Sequence, residues 1–78
     1  MSAKEMFEEL GYEYKESYFN NKLNRIIITD DYKYSTHIIF AIENQSIKAT
    51  LKNDQAGWVS MKLLKAINKQ VEELRWEE

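Results

Sequence analysis

The apolar periodicity of this chain changes twice, and no other feature constrains its fold as much. It opens with helical spacing, switches to alternation and returns to helical spacing. Ala3, Met6, Phe7 and Leu10 fall on one face of a helix over residues 3–10. Ser2 and Glu5 frame its start as a capping box, and Gly11 stands where a left-handed C-terminal cap belongs. A helix this short does not persist alone, so Met6, Phe7 and Leu10 are expected to dock into a core.

From Tyr12 the period is two. Tyr12, Tyr14 and Tyr18 share one face of a strand, opposite Glu13, Lys15 and Ser17. Asn20-Asn21 and Lys22 read as a turn, and Arg25 to Thr29 as a second strand with Ile26 and Ile28 opposed to Ile27. After a polar connection from Asp30-Asp31 through Tyr32 to Ser35, two further runs alternate. Ile38, Phe40 and Ile42 oppose His37, Ile39 and Ala41, while Ile47, Ala49 and Leu51 oppose Lys48, Thr50 and Lys52. Glu43 to Ser46 fits a hairpin loop between them, and Asn53 to Gly57 a loop before the last element. Ser60 then caps a longer helix with a stripe of Leu64, Ile67, Val71 and Leu74, widened by Leu63. The expected fold is α+β: a short N-terminal helix, an antiparallel meander of about four strands, and a C-terminal helix packed on one sheet face. Residues 1–78 are expected to form a single domain.

Composition narrows the function. With 44% hydrophobic residues the chain has enough apolar matter for a core, and with no cysteine it has no disulfide and no thiolate metal site. No apolar run is long enough to cross a bilayer and the N-terminus does not read as a signal peptide, so the cytoplasm is the expected location. Eleven Lys and Arg against 13 Asp and Glu make wholesale phosphate binding unfavourable. His37 is the single histidine, and Ser35 or Ser46 with Asp30 or Asp31 would complete a triad only by a geometry that no motif supports. Asp30-Asp31 lacks the further ligands of a Mg²⁺ or Ca²⁺ site, and Gly11 and Gly57 belong to no phosphate loop. No catalytic residue, metal or cofactor is expected.

The candidate binding residues are aromatic and charged. Tyr14, Tyr18, Tyr32 and Tyr34 concentrate in the first half of the chain; tyrosine suits strands, and it also gives large contact area at low entropic cost. Trp76 lies roughly 120° around the last helix from Leu64, on the side of Lys65, Lys69 and Glu72. If the helix stays regular the indole is an exposed anchor; if the last turn frays it folds back over the first helix. The charges of that helix oppose its dipole: Lys62 and Lys65 sit near the start, Glu72, Glu73, Glu77 and Glu78 near the end. Neutralisation of the lysines by Glu5, Glu8 and Glu9, and an i,i+4 pair of Lys69 with Glu73, would offset this.

Met6-Phe7-Glu8-Glu9-Leu10-Gly11-Tyr12 and the stretch from Val59 to Trp76 resemble small uncharacterised proteins of phages and prophages of Gram-positive bacteria. Those begin with an MFEELGYE-like segment and end with an ITMEELKAINKQIEELGW-like helix around a variable β-rich middle. Here Leu63 replaces the capping-box glutamate of that pattern, and Arg75 its glycine before the terminal tryptophan. The resemblance implies a mobile-element context and a compact α+β fold, and it implies no reaction. The expected function is a protein-binding module that masks or inhibits a host or phage protein, in the manner of small phage proteins that occupy nucleases of bacterial defence systems. The alternative is a nucleic-acid-binding domain that uses Lys62 and Lys65 at a helix N-terminus, as in double-stranded-RNA-binding domains. The absence of a GPxH loop and the acidic balance oppose it.

Overall fold

The computed structural model describes residues 1–30, 36–51 and 59–76. In chain order they form α1 (Ala3–Glu9), β1 (Glu13–Phe19), β2 (Lys22–Thr29), β3 (Thr36–Ala41), β4 (Ser46–Leu51) and α2 (Met61–Leu74). The strands make one antiparallel sheet in the order β1-β2-β3-β4. The architecture is the α+β meander between two helices expected from the periodicity.

Local chemistry accounts for most boundaries. The Ser2 hydroxyl accepts the Glu5 N–H at 3.1 Å and the Glu5 carboxylate accepts the Ser2 N–H at 2.9 Å, closing the capping box. That bond from the Ser2 backbone lowers the pKa of the fully exposed Glu5 carboxyl. Asn20 and Asn21 turn the first hairpin with φ of 53° and 66°, the left-handed pair that a two-residue loop requires and that asparagine tolerates. The second turn occupies residues 42–45, one position earlier than expected, because Ser46 already pairs with Ala41. Ile42 is therefore a half-buried turn residue rather than a strand residue. Asp31, Tyr32 to Ser35, Lys52, the expected loop at Asn53 to Gly57, Glu77 and Glu78 lie outside the described residues.

Cross-strand register builds the core. Tyr14 pairs with Ile28, Ile28 with Ile38, and Ile38 with Ala49; Glu16, Ile26, Phe40 and Ile47 form the next row on the same face. Ile26, Ile28, Ile38 and Phe40 are buried together with Ala3 and Phe7 of α1 and with Leu63 and Ala66 of α2. Each fully buried large side chain contributes about 1.5–3 kcal/mol. The opposite face alternates as expected, with the Ile27 and Ile39 side chains half-buried.

The buried side of α2 differs from the expected stripe. Leu63, Ala66 and Gln70 are buried, Ile67, Val71 and Leu74 are half-buried, and Leu64 is 39% exposed. Periodicity of apolar residues misses this face because its two deepest later positions are a small alanine, which admits close approach, and a polar glutamine. Ile47, on the same inner face as Ile38 and Phe40, is 41% exposed, whereas Leu51 at the other end of β4 packs partly against the core.

Both helices end alike. Gly11 N–H donates to Glu8 and Tyr12 N–H to Phe7; Arg75 N–H donates to Glu72 and Trp76 N–H to Val71. These are paired Schellman closures, each carrying an aromatic residue back onto the core. Phe7-Glu8-Glu9-Leu10-Gly11-Tyr12 and Val71-Glu72-Glu73-Leu74-Arg75-Trp76 are therefore the same device used twice. The left-handed position has φ 94° at Gly11 and φ 59° at Arg75, where a side chain bears steric cost.

Arg75→Gly is expected to raise stability by roughly 1 kcal/mol, read as a higher urea midpoint. Leu63→Ala should cost about 2–5 kcal/mol and Leu64→Ala clearly less, since only Leu63 is enclosed. Equal losses from the two variants would contradict the helix orientation.

Candidate interaction surface

The helices run antiparallel. The Glu73 carboxylate of α2 accepts the Ala3 N–H at the start of α1 at 2.9 Å, while Glu9 and Leu10 at the end of α1 line one groove with Lys62 and Lys65 at the start of α2. This arrangement resolves the reversed charges of α2. Glu73 serves the positive end of α1, and the lysines face a glutamate of α1 across the groove. Lys69 pairs with Glu72 at 3.2 Å, not with Glu73 as expected, because Glu73 is engaged by the other helix.

The expected binding residues separate into two groups. Trp76 does not project beside Lys69 and Glu72 as a regular helix would place it. Helix α2 stops at Leu74, Arg75 turns left-handed, and the indole folds back with its ring 6.2 Å from that of Phe40. It closes on the sheet, whereas the fold-back expected from the sequence led over α1. Tyr14 also turns inward: its ring lies 6.3 Å from Phe7 and its hydroxyl donates to the buried Gln70 amide oxygen at 2.7 Å. Burial, with Glu16 and Glu73 nearby, pushes its pKa up to about 12.

Lys65, Lys69 and Glu72 remain at the surface and line a shallow groove of about 350 Å³ with Met6 and Asn68. Tyr18 is 59% exposed and its hydroxyl donates to Glu16 at 3.0 Å. Its bond to Glu16, two positions back along β1, keeps it on the Tyr14 face as the alternation predicts, but at the hairpin tip beyond the buried core residues. Tyr32 and Tyr34 lie outside the described residues.

The most exposed large hydrophobic side chain among the described residues is one the periodicity did not single out. Phe19 is 69% exposed, beside Tyr18 at the tip of the first hairpin. It borders a groove of about 500 Å³ formed with Asn20, Lys22, Leu23, Asn24, Ile42 and Glu43. The two hairpin ends are tied there by the Ile42 N–H donating to the Asn24 carbonyl at 3.1 Å. An aromatic residue directly before an Asn-Asn turn is the sequence signal that marks it, since a ring at a hairpin tip has little core to enter. The tip is thus an aromatic pair on a backbone braced by two turns.

His37 is half-buried on the outer sheet face, paired across the strands with Thr29 and Thr50. Among the described residues no three His, Asp or Glu side chains gather into a metal-binding group, and no helix is long and apolar enough to cross a membrane.

Tyr14→Phe is expected to cost about 1 kcal/mol at neutral pH, because Gln70 loses a buried partner. The same variant should flatten the alkaline loss of stability. A raised phenol pKa stabilises the fold fully below pH 10, and the contribution fades as pH rises towards about 12. Urea midpoints for both proteins from neutral pH to pH 12 measure the difference, and parallel curves would remove Tyr14 as its source.

Comparison with known proteins supplies no assignment: no family model, no curated protein and no solved structure matches this chain.

Proposed function

We propose that this protein is a non-catalytic protein-binding module, carried by a phage or prophage, that masks a working surface of a host protein. The observation that carries the reading is the Tyr18–Phe19 tip. Two adjacent large aromatic side chains stand 59% and 69% exposed although the core holds together without them. Exposed aromatic residues beside a groove are the kind of group that supplies most of the free energy of a protein interface. The two-residue turn and the cross-hairpin bond limit the entropy lost on docking. The phage context rests on the resemblance of both chain ends. A defence nuclease as target rests on analogy with other small phage proteins and on the exposed Glu5, Glu8 and Glu9 of α1, which suit a basic nucleic-acid channel.

Nucleic acid is the second reading, favoured by the exposure of Lys62 and Lys65 at the start of α2. The shared groove with Glu9 reduces their pull on phosphate.

An affinity pull-down from a bacterial lysate, with and without nuclease treatment, separates the two. The masking reading expects a protein partner that survives nuclease and is lost with Phe19→Ala, at a cost of about 2 kcal/mol or more in binding and with little change in melting temperature. Retention that disappears with nuclease or with Lys62→Ala and Lys65→Ala would instead establish nucleic-acid binding.

A further inference from the structure

The two edges of the sheet are built differently. Edge strand β1 carries Glu13, Lys15 and Glu16, and its pairing with β2 is interrupted by a register shift between Ser17 and Tyr18. Charges and irregular pairing are the devices by which proteins keep an edge from recruiting another strand. Edge strand β4 has neither defence. It reads Ser46-Ile47-Lys48-Ala49-Thr50-Leu51, holds one charge, and pairs with β3 without a register shift. Its inner face is also unfinished: Ile47 is 41% exposed and Ala49 is exposed, while Leu51 packs only partly against the core.

We infer that β4 pairs with β4 of a second copy of this chain, antiparallel across a two-fold axis, joining two four-stranded sheets into one. The strand is self-complementary when the axis passes through its middle at Ala49. Residues that face each other across a ladder share a sheet face, so the axis must pass through a residue pair of equal parity. With Ala49 opposite its own copy, Ile47 meets Leu51 of the second copy on the inner face and Lys48 meets Thr50 on the outer face. With Lys48 opposite its own copy, two ammonium groups are forced together, which is unfavourable. The favoured register therefore buries the exposed Ile47, extends the apolar inner face from one copy to the next, and keeps the lysines apart. Closed two-fold pairing uses both edges and leaves no open end at β4.

This association is independent of the masking reading, because the Tyr18–Phe19 tip belongs to the other edge. Sedimentation or light scattering across a concentration series tests it first. The wild type is expected to pass from a 9.3 kDa monomer to twice that mass. Ala49→Lys places like charges on the axis and should abolish the doubling with an unchanged melting temperature. The absence of cysteine allows a second measurement that does not depend on that variant. Paired residues in an antiparallel ladder have Cα atoms about 4.5–5.5 Å apart, within disulfide reach. Ala49→Cys should thus cross-link rapidly on mild oxidation, whereas Ser46→Cys, far from its symmetry mate, should not. A wild type that stays monomeric at millimolar concentration would overturn the inference and leave the edge to an extended segment of another protein. Doubling with equal cross-linking at both positions would overturn the β4 interface.

Discussion

The Phe40 ring is the point on which the other packing depends. Phe7 of α1 meets it edge-on at 6.3 Å and Trp76 meets it at 6.2 Å from beyond the end of α2. One residue of the sheet thereby holds an aromatic from each end of the chain. A seven-residue helix has no stability of its own, so α1 exists because Phe7 and Ala3 are enclosed. Both Schellman closures serve the same end: Gly11 and Arg75 reverse the chain where Tyr12 and Trp76 must turn back to the core. Leu63 fits this scheme as well. It forgoes the reciprocal carboxylate of a capping box, yet its N–H still donates to Ser60 at 3.1 Å and its side chain joins the core.

Antiparallel docking of the helices settles the electrostatics that looked unfavourable along α2 alone. A carboxylate at the end of one helix becomes a cap at the start of the other, and lysines at one start lie across a groove from a glutamate at the other end. The Tyr14–Gln70 bond supplies the remaining link between sheet and helix. Polar groups therefore join the two helices and the sheet at places where apolar packing alone would leave the orientation of the helices unspecified.

What the core leaves out is as informative as what it takes in. The inner face of β4 stays partly open at Ile47 and Ala49, and the first hairpin projects an aromatic pair past the buried core. The two surfaces differ in chemistry. A hairpin tip presents side chains to a shaped partner, whereas a sheet edge presents backbone groups that accept a strand.

The sequence by itself determined the element order, the capping box at Ser2, the cap at Gly11, the Asn20-Asn21 turn and the inward alternation of Ile26, Ile28, Ile38 and Phe40. All of these depend on neighbours within a few positions. Tertiary structure alone decided how α2 is rotated, because Ala66 carries only a weak apolar signal and Gln70 none, and both are buried by what faces them. It also decided that Trp76 and Tyr14 pack against the core while Tyr18 and Phe19 stay exposed. A helical wheel places Trp76 among charges, but the wheel holds only while the helix continues, and Arg75 ends it. Partners distant in sequence, Phe40 for Trp76 and Gln70 for Tyr14, chose the side chains' directions. Local pattern records which residues are able to be buried; only the packing of distant segments selects which of them are.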